Sequence, residues 1–375
     1  MKRALCFVFL AALWPGEICL AQGNPAAPLV QGPGAAAQAG NPAGGRGGAF
    51  GGPIELGPDD KPMFPDPPAG FNVRRDNIPH GQLTDLQYDS KTLGTRRQLR
   101  VYTPPGYSAG RKYPVIYLLH GMGWNDLEWT VVRHADVVID NLLADGKIQP
   151  MIMVFPCGDS TMTAEDIAKA GGTPWMQGGR GPAGADGQAV AEYMASRGGA
   201  TAAPAPVPTP ATAPGATAGA PPAGRGGGRG GMNMSPWLTP FENDLLKDIV
   251  PYIDSRYSTV ADRDHRALAG LSMGGGQALN IGLVHPETFA YVGGFSSAPD
   301  TKSPPDLVPD PSVPKQLKLI WLASGNRDGL IRVGRGVHDY LKANNVPHIW
   351  HVDGNAHDTP EWQNNLYLFS QRIFQ

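Results

Sequence analysis

The sequence has little cysteine and no long apolar run. Three cysteines occur among 375 residues, and two of them, Cys6 and Cys19, lie in the first 21 residues. If that segment is removed, Cys157 remains alone and an intramolecular disulfide is excluded. The apolar run at residues 4–14 is too short to cross the ~30 Å hydrocarbon core of a membrane. We therefore expect no stable membrane insertion, and a fold held together by its hydrophobic core.

Charge is also scarce. Charged residues make up 17% of the chain, and the formal net charge is −2 at pH 7, which argues against a nucleic-acid partner. Arg-Gly-Gly steps and Gly-x-Gly-x-x-Gly matches occur in glycine-rich stretches that neither follow a strand nor open a helix, so they predict no dinucleotide site. The sequence has no paired His or carboxylate residues at the usual metal-binding spacing, and we expect neither a metal nor a cofactor.

The amino terminus has the pattern of a secretory signal peptide. A basic start at Lys2 and Arg3 precedes the short apolar run, and small residues follow as far as Ala21. This order predicts a signal peptide over residues 1–21 with cleavage after Ala21. The mature protein is therefore expected to be secreted or periplasmic.

Glycine and proline are abundant, with 50 and 38 residues, and they concentrate in two stretches. Residues 22–61 contain almost no large apolar side chains, so they cannot offset the entropy of ordering and are predicted to be a disordered leader. Residues 171–232 have the same composition and are predicted to be a flexible insertion. The folded domain is then expected at residues 62–375, interrupted by that insertion.

Outside these stretches, strand and helix patterns alternate. Such alternation predicts an α/β fold with a mostly parallel central sheet flanked by helices, and ligand sites at the carboxyl ends of the strands. Residues 98–103 alternate with period two, as a half-buried edge strand does. The other strands are predicted at residues 115–119, 151–155, 267–271, 291–295, 317–323 and 348–352. Helices are predicted at 128–143, 241–253, 273–284, 333–343 and 361–374, the last with Thr359 as N-cap and Pro360 in its first turn.

The segment Gly270-Leu271-Ser272-Met273-Gly274 lies where a predicted strand meets a predicted helix. This is the setting of a nucleophile elbow, a turn too tight for a Cβ on either flank of the serine. The pattern alone is weak, because an idle serine in a tight turn would look the same. Its position between a strand and a helix makes Ser272 the candidate nucleophile.

A serine nucleophile needs a base, and the base needs an acid that orients it. In folds with this elbow the chain order is serine, acid, histidine. Of the histidines after Ser272, only His357 lies in a loop that follows a strand; the others fall in predicted helices or strands (His285, His338, His348 and His351). Asp328 follows the strand predicted at 317–323 and is the candidate acid, although Asp-Gly is also a common turn pair.

Backbone N–H groups must stabilise the oxyanion, one from the residue after the nucleophile and one from an early loop. Met273 supplies the first. The glycine-rich loop after the strand at 115–119 is expected to supply the second, from Met122 rather than Gly121 or Gly123. His120 is predicted to brace this loop rather than to carry protons.

With these residues assigned, the sequence resembles the esterase D family of α/β-hydrolases, and most closely carbohydrate esterase family 1, the feruloyl and acetylxylan esterases. The resemblance extends from residue 77 to 375 apart from the insertion. The matching text is Pro79-His80-Gly81, Val101-Tyr102-Thr103-Pro104-Pro105-Gly106-Tyr107, Tyr113-Pro114-Val115-Ile116-Tyr117-Leu118-Leu119-His120-Gly121, Gly270-Leu271-Ser272-Met273-Gly274-Gly275 and the segment around His357.

The resemblance implies cofactor-free hydrolysis, through an acyl-enzyme, of a feruloyl or acetyl ester on an acylated plant polysaccharide or oligosaccharide. The same family includes secreted mycolyltransferases and siderophore-cleaving esterases, so an acyltransferase and a siderophore esterase are alternatives. A non-catalytic binding domain is a further alternative, against which the ordered Ser272, Asp328 and His357 argue. Compact family members lack the insertion at 171–232, which follows the strand ending near Pro156. The oligomeric state is not indicated.

Overall fold

A computed structural model of the chain describes residues 54–169 and 235–375. The predicted signal peptide, most of the predicted leader and all of the predicted insertion lie outside these residues. Eight strands are present in the described part: β1 Gln82–Ser90, β2 Thr95–Thr103, β3 Val115–Leu119, β4 Ile152–Pro156, β5 Arg266–Leu271, β6 Tyr291–Phe295, β7 Leu319–Gly325 and β8 Ile349–Asp353.

The α-helices in the described part of the chain lie between and after the strands. They are α1 Ala135–Ala144, α2 Ala164–Lys169, α3 Ser235–Asp244, α4 Val250–Arg256, α5 Met273–Gly282, α6 Pro304–Leu307, α7 Ile331–Ala343 and α8 Thr359–Ser370. Two π-helical turns, Glu128–Val132 and Leu245–Ile249, precede α1 and α4. None of the helices within 54–169 and 235–375 combines the length and hydropathy needed to cross a membrane.

The strands form one sheet in the order β1-β2-β4-β3-β5-β6-β7-β8. Strands β1 and β2 pair antiparallel with their neighbours, and the remaining pairs are parallel. The predicted α/β-hydrolase fold with a mostly parallel sheet is confirmed. The parallel register brings the carboxyl ends of β3, β5, β7 and β8 to the same edge, where the candidate site residues follow them.

Successive side chains of β3 enter opposite cores, because side chains alternate across a strand. Ile116 and Leu118 belong to one apolar cluster with residues of α1 and α8. Val115, Tyr117 and Leu119 belong to a second cluster with residues of α3, α4 and α5. A strand covered on both faces must be apolar throughout, and this accounts for the continuous run that predicted it.

The edge of the sheet differs from the prediction. Strand β2 had the pattern of a half-buried edge strand, but β1 pairs along its whole length and forms the edge. Strand β1 was missed because its sequence, QLTDLQYDS, carries polar residues on its exposed positions and few apolar ones. An antiparallel strand with one solvated face needs an apolar residue only at every second position. With so few apolar residues in β1, this alternation is hard to recognise in the sequence.

Two helix predictions also need correction. The helix expected at 128–143 is split, because His134 adopts a left-handed conformation (φ 49°) between the π-helical turn and α1. The last helix is capped by Asp358, whose side chain accepts from the Glu361 N–H, and not by Thr359, which is its first residue. Pro360 lies in the first turn as expected.

The folded domain begins before residue 62. Asp60 was assigned to the leader, but it is buried and accepts a 2.9 Å hydrogen bond from Trp350 Nε1 of β8. It also pairs with Arg335 of α7 at 2.5 Å. The leader was predicted from the lack of large apolar residues before 62. Composition does not reveal polar contacts between Asp60 and residues that are distant in the sequence.

Candidate active site

Ser272 lies at the junction of β5 and α5. Its φ of 52° and ψ of −117° place it in a region that residues with a side chain rarely adopt. The Ser272 N–H donates to the Phe295 carbonyl at 2.9 Å, and its own carbonyl accepts from Ala298 N–H at 3.0 Å. The end of β6 therefore holds the serine in this strained turn.

The glycines on either side of Ser272 are required by close backbone contacts. A Cβ on Gly270 would lie 2.3 Å from the Gly274 carbonyl oxygen. A Cβ on Gly274 would lie 2.4 Å from the Leu119 oxygen and 2.6 Å from the His120 oxygen. The strand, turn and helix expected from the motif are present, and their crossing leaves no room for side chains at either glycine.

The structure brings Ser272, His357 and Asp328 into one hydrogen-bonded line. His357 Nε2 lies 3.0 Å from Ser272 Oγ, and His357 Nδ1 lies 3.0 Å from Asp328 Oδ2. Asp328 follows β7 and His357 follows β8, so both approach from the same edge of the sheet. The imidazole is partly exposed while the carboxylate is fully buried. A hydroxyl, a base and an orienting acid in this order can activate an oxygen nucleophile.

Asp328 is held as an anion by its surroundings. Burial alone would raise the pKa of this carboxyl, but the hydrogen bond and the positive charge of His357 act in the opposite direction. The Leu330 N–H, which donates to Oδ1 at 2.7 Å, adds to this effect. The net result is a pKa below the ordinary aspartate value, so the group that faces His357 Nδ1 is an acceptor.

The other carboxylates near His357 are engaged elsewhere. Asp353 accepts from the backbone and side chain of Asn355, at 2.9 and 2.6 Å. Asp358 caps helix α8. Of the aspartates in the segment between β6 and β7, Asp306 and Asp310 are exposed, and none of them is hydrogen-bonded to His357 in the described structure.

The glycine-rich loop after β3 lies directly against the serine. A Cβ on Gly121 would be 3.6 Å from Ser272 Cβ. The Gly121 N–H donates to Glu128 Oε2 at 2.7 Å and is therefore already occupied. Met122 follows with 38% of its surface exposed, and Met273 opens α5 beside the serine.

His120 braces this loop from within. It is buried, its Nδ1 lies 2.7 Å from the Gly121 carbonyl, and its Nε2 accepts from the Gly158 N–H at 2.8 Å. A neutral ring with a proton on Nδ1 satisfies both contacts. Burial lowers the pKa of His120 to about 4, which fits the structural role expected from the sequence.

Three residues near the site were missed by the sequence reasoning. Glu128 and Arg133 form a buried ion pair at 2.7 Å behind the glycine-rich loop. Trp362 of α8 meets the His357 ring edge to face, with the ring centroids 5.1 Å apart. Opposite charges within the stretch predicted as a helix at 128–143 are the signal that could have revealed the pair, since buried charges are rarely left unpaired.

Cys157 lies outside the site. It is buried in a small cluster with Met162 and Ile167. Burial raises the pKa of its thiol to about 12. A thiol in this state packs as a small apolar group and is not a nucleophile at neutral pH.

A family model described as "Putative esterase" matches residues 90–177 and 219–370, which is more than half of the chain. The gap between the two matched segments falls inside residues 171–232. A curated relative, an endo-1,4-beta-xylanase/feruloyl esterase from Xylanibacter ruminicola, is 27% identical over 310 residues. That alignment covers 81% of this chain and 33% of the relative, so the chain spans about a third of that protein's length.

Solved structures agree in fold. A carbohydrate esterase family 1 ferulic acid esterase from Anaeromyces mucronatus, in complex with ferulic acid, aligns with a TM-score of 0.57 and 21% identity. The alignment covers 82% of this chain and 96% of that one. A serine-to-alanine mutant of the feruloyl esterase module from Clostridium thermocellum, complexed with sinapinate, aligns with a TM-score of 0.56 and 16% identity, over 86% and 97% of the two chains. The chain belongs to the Esterase family and has the α/β-hydrolase fold of the feruloyl esterases.

Proposed function

We propose that this protein is a secreted serine carboxylic ester hydrolase that cleaves feruloyl or acetyl esters of plant polysaccharide. The observation that carries the proposal is the line from Ser272 Oγ through His357 to Asp328, with both contacts at 3.0 Å. The elbow holds the serine at the carboxyl edge of the sheet, the usual position of ligand sites in this class of fold.

The geometry supports a two-step reaction. Ser272 Oγ attacks the ester carbonyl carbon while His357 Nε2 takes the hydroxyl proton, and Asp328 stabilises the resulting imidazolium. The carbonyl oxygen becomes an oxyanion, which we assign to the Met122 and Met273 N–H groups because Gly121 N–H is bound to Glu128. His357 then returns the proton to the leaving alkoxide, which departs as the alcohol and leaves an acyl-serine.

In the second step water replaces the alcohol. His357 takes a proton from the water as it attacks the acyl carbon, and the acid leaves when the Ser272 oxygen recovers that proton. No cofactor or metal takes part in this scheme. The substrate class is supported by the relatives, whose names specify feruloyl esterase, ferulic acid and sinapinate.

The test compares wild type with Ser272→Ala on methyl ferulate, acetylated xylan and a short p-nitrophenyl ester. Loss of a serine nucleophile is expected to lower kcat by about 10⁶-fold. Ser312→Ala, a change at an exposed serine, serves as the matched control and should hydrolyse all three esters at the wild-type rate. Equal rates in wild type and Ser272→Ala would refute the assignment.

The same assay separates hydrolysis from acyl transfer. When trehalose is added with a long-chain acyl donor, the proposal expects free acid as the main product. A yield of acylated sugar greater than that of free acid would favour the acyltransferase alternative. Faster cleavage of a tri-catecholate siderophore ester than of methyl ferulate would favour the siderophore esterase.

We also propose that residues 1–21 direct export. The proposal depends on the basic start, short apolar run and small residues before Gln22. Amino-terminal sequencing of protein recovered from the culture fluid or periplasm should begin at Gln22. A first residue of Met1 would contradict cleavage.

A further inference from the structure

We propose that Glu128, held by Arg133, is a positioning residue that fixes the Gly121 amide, and with it the loop that presents the Met122 N–H, against the nucleophile and connects this loop to the segment that carries His357. The inference rests on the proposed function, because it concerns stabilisation of the oxyanion at the same site. Neither residue touches the reacting atoms, and each acts through a neighbour.

The contact with the loop is direct. Glu128 Oε2 accepts from Gly121 N–H at 2.7 Å. The Gly121 Cα lies close enough to the serine that an added Cβ would be 3.6 Å from Ser272 Cβ and 2.9 Å from a Leu271 methyl carbon. The Gly121 carbonyl, which shares a peptide plane with the Met122 N–H, lies 2.7 Å from His120 Nδ1. Glu128 and His120 therefore hold the two peptides that meet at Gly121, one each.

The second carboxylate oxygen is held just as firmly. Glu128 Oε1 accepts from two nitrogens of Arg133, Nη2 at 2.7 Å and Nε at 3.2 Å. With Oε2 bound to Gly121, both carboxylate oxygens have a fixed partner. Both side chains are almost completely buried, with 1% and 4% of their surface accessible. The two residues lie at the start and just past the end of the π-helical turn Glu128–Val132, a distortion that is frequent at functional sites.

Arg133 extends the connection to helix α8. Its Nη1 donates to the Thr359 hydroxyl, and its guanidinium carbon lies 4.6 Å from the centre of the Trp362 ring. Trp362 in turn meets the His357 ring edge to face. An uninterrupted series of contacts therefore runs from Gly121 through Glu128, Arg133 and Trp362 to His357.

Burying an ion pair usually contributes little to stability compared with apolar residues of the same shape. This pair is attached at one end to a backbone amide beside the nucleophile and at the other to the helix that follows the histidine. A role in setting the geometry of the site explains why Glu128 binds the Gly121 amide and why Arg133 contacts helix α8. A pair that only stabilised the fold would need neither contact.

Two variants test the proposal. Glu128→Gln keeps the shape, but it replaces one of the two acceptor oxygens by an NH2 donor, so that either the Gly121 N–H or the Arg133 guanidinium faces a donor. The double variant Glu128→Met, Arg133→Met removes both buried charges together, so that no unpaired charge destabilises the fold, and it leaves Gly121 N–H without its acceptor. Asp254→Asn, which disrupts the Arg266–Asp254 pair (2.9 Å) at the opposite end of β5, is the matched control.

The measurements are kcat and KM on p-nitrophenyl acetate, the inhibition constant of phenylboronic acid, which forms a tetrahedral adduct with the serine, and that of ferulic acid, which stays planar. Misplacement by ~1 Å can lower the rate about 10²-fold, and we expect a loss of this order in kcat for the double variant, with KM little changed. Boronate affinity should fall in parallel while ferulate affinity is retained. Glu128→Gln should show the same pattern with a smaller loss, and Asp254→Asn should match wild type.

Several results would overturn the proposal. Wild-type kcat and boronate affinity in a folded double variant would do so, as would a lower melting temperature with no change in either quantity. If the double variant does not fold, Glu128→Gln provides the test instead. Wild-type kcat and boronate affinity in Glu128→Gln would show that the Gly121 N–H needs no fixed acceptor. An active wild type with unaffected variants would refute this inference alone, whereas an inactive wild type would refute the proposed function as well.

Discussion

At the residue scale, the proposed chemistry depends on how one carboxylate is surrounded. Asp328 is buried, yet its pKa lies below the ordinary value because the hydrogen bond and charge of His357, helped by the Leu330 N–H, outweigh desolvation. In the proposed mechanism, an anionic acceptor facing Nδ1 keeps the proton on that nitrogen and leaves Nε2 free to take the serine proton.

Asp328→Asn is expected to lower kcat by about 10⁴-fold, the loss that the same change causes in serine proteases, because a carboxamide can favour the wrong tautomer of the histidine. The readout is the steady-state rate on methyl ferulate at pH 7. Asp358→Asn, next to His357 in the chain, is the control, since asparagine caps helices as well as aspartate does. Equal rates in the two variants would rule out Asp328 as the orienting acid.

At the element scale, the crossing of β5, α5 and the end of β3 determines where the serine lies. Gly274→Ala would place a methyl group 2.4 Å from the Leu119 carbonyl oxygen. Backbone atoms cannot move aside as a flexible side chain can, so the change is expected to cost about 3 kcal/mol of unfolding free energy. It should also reduce activity, because the displaced atoms of Leu119 and His120 lead directly into the loop beside Ser272.

Gly336→Ala is the matched comparison within a helix. Gly336 lies in the interior of α7, and its nearest neighbour to an added Cβ is Pro304 Cγ at 4.0 Å. Alanine there should raise the unfolding free energy by about 0.5–1 kcal/mol through the lower entropy of the unfolded chain. Urea denaturation of both variants checks the pair. A Gly274→Ala protein as stable and active as wild type would show that the elbow tolerates a side chain.

At the scale of the whole molecule, buried carboxyl groups make stability depend on pH. Burial raises the pKa of Asp300 to about 8, and its Oδ1 has no hydrogen-bond partner among the described residues. Burial, together with the negative charges of Asp353 and Asp328, also raises the pKa of Glu361 well above the ordinary value. Each group therefore keeps its proton to a higher pH in the native state than in the unfolded chain.

The sign of the effect follows from linkage. Between the unfolded pKa near 3.8 and the folded value near 8, the native state binds more protons than the unfolded state, so the free energy of unfolding falls as pH rises. The contribution of one group is at most about 1.4 kcal/mol per pH unit. Asp300→Asn, which mimics the neutral acid, should therefore flatten the decline in stability from pH 5 to pH 8.

Urea midpoints at several pH values, converted to free energies, measure this slope for wild type, Asp300→Asn and Asp306→Asn. Asp306 is exposed in α6, a few residues further along the chain, so its variant should retain the wild-type slope. A slope in Asp300→Asn identical to wild type would show that Asp300 is ionised in the native protein at neutral pH.

Much of the fold and site could be predicted from the sequence, since local patterns reflect local physics. The apolar run of β3 indicated a strand covered on both faces, and the glycines around Ser272 indicated a turn with no room for a Cβ. The chain order of Ser272, Asp328 and His357, each after a strand, was enough to bring them to one edge of a parallel sheet. In the structure they lie in a single hydrogen-bonded line.

Only the tertiary structure decided how these elements are held. The sequence does not show that β1 covers β2, that Asp60 is buried against Trp350, or that Glu128 binds Gly121 and Arg133. The sequence separation of these partners follows no helical or strand periodicity. Each contact forms only because the fold brings distant segments of the chain together. The sequence determined which residues could perform the chemistry, because a tight turn and a buried strand restrict residue type locally. The tertiary structure decided the distances between them, because polar partners from separate elements fix those distances.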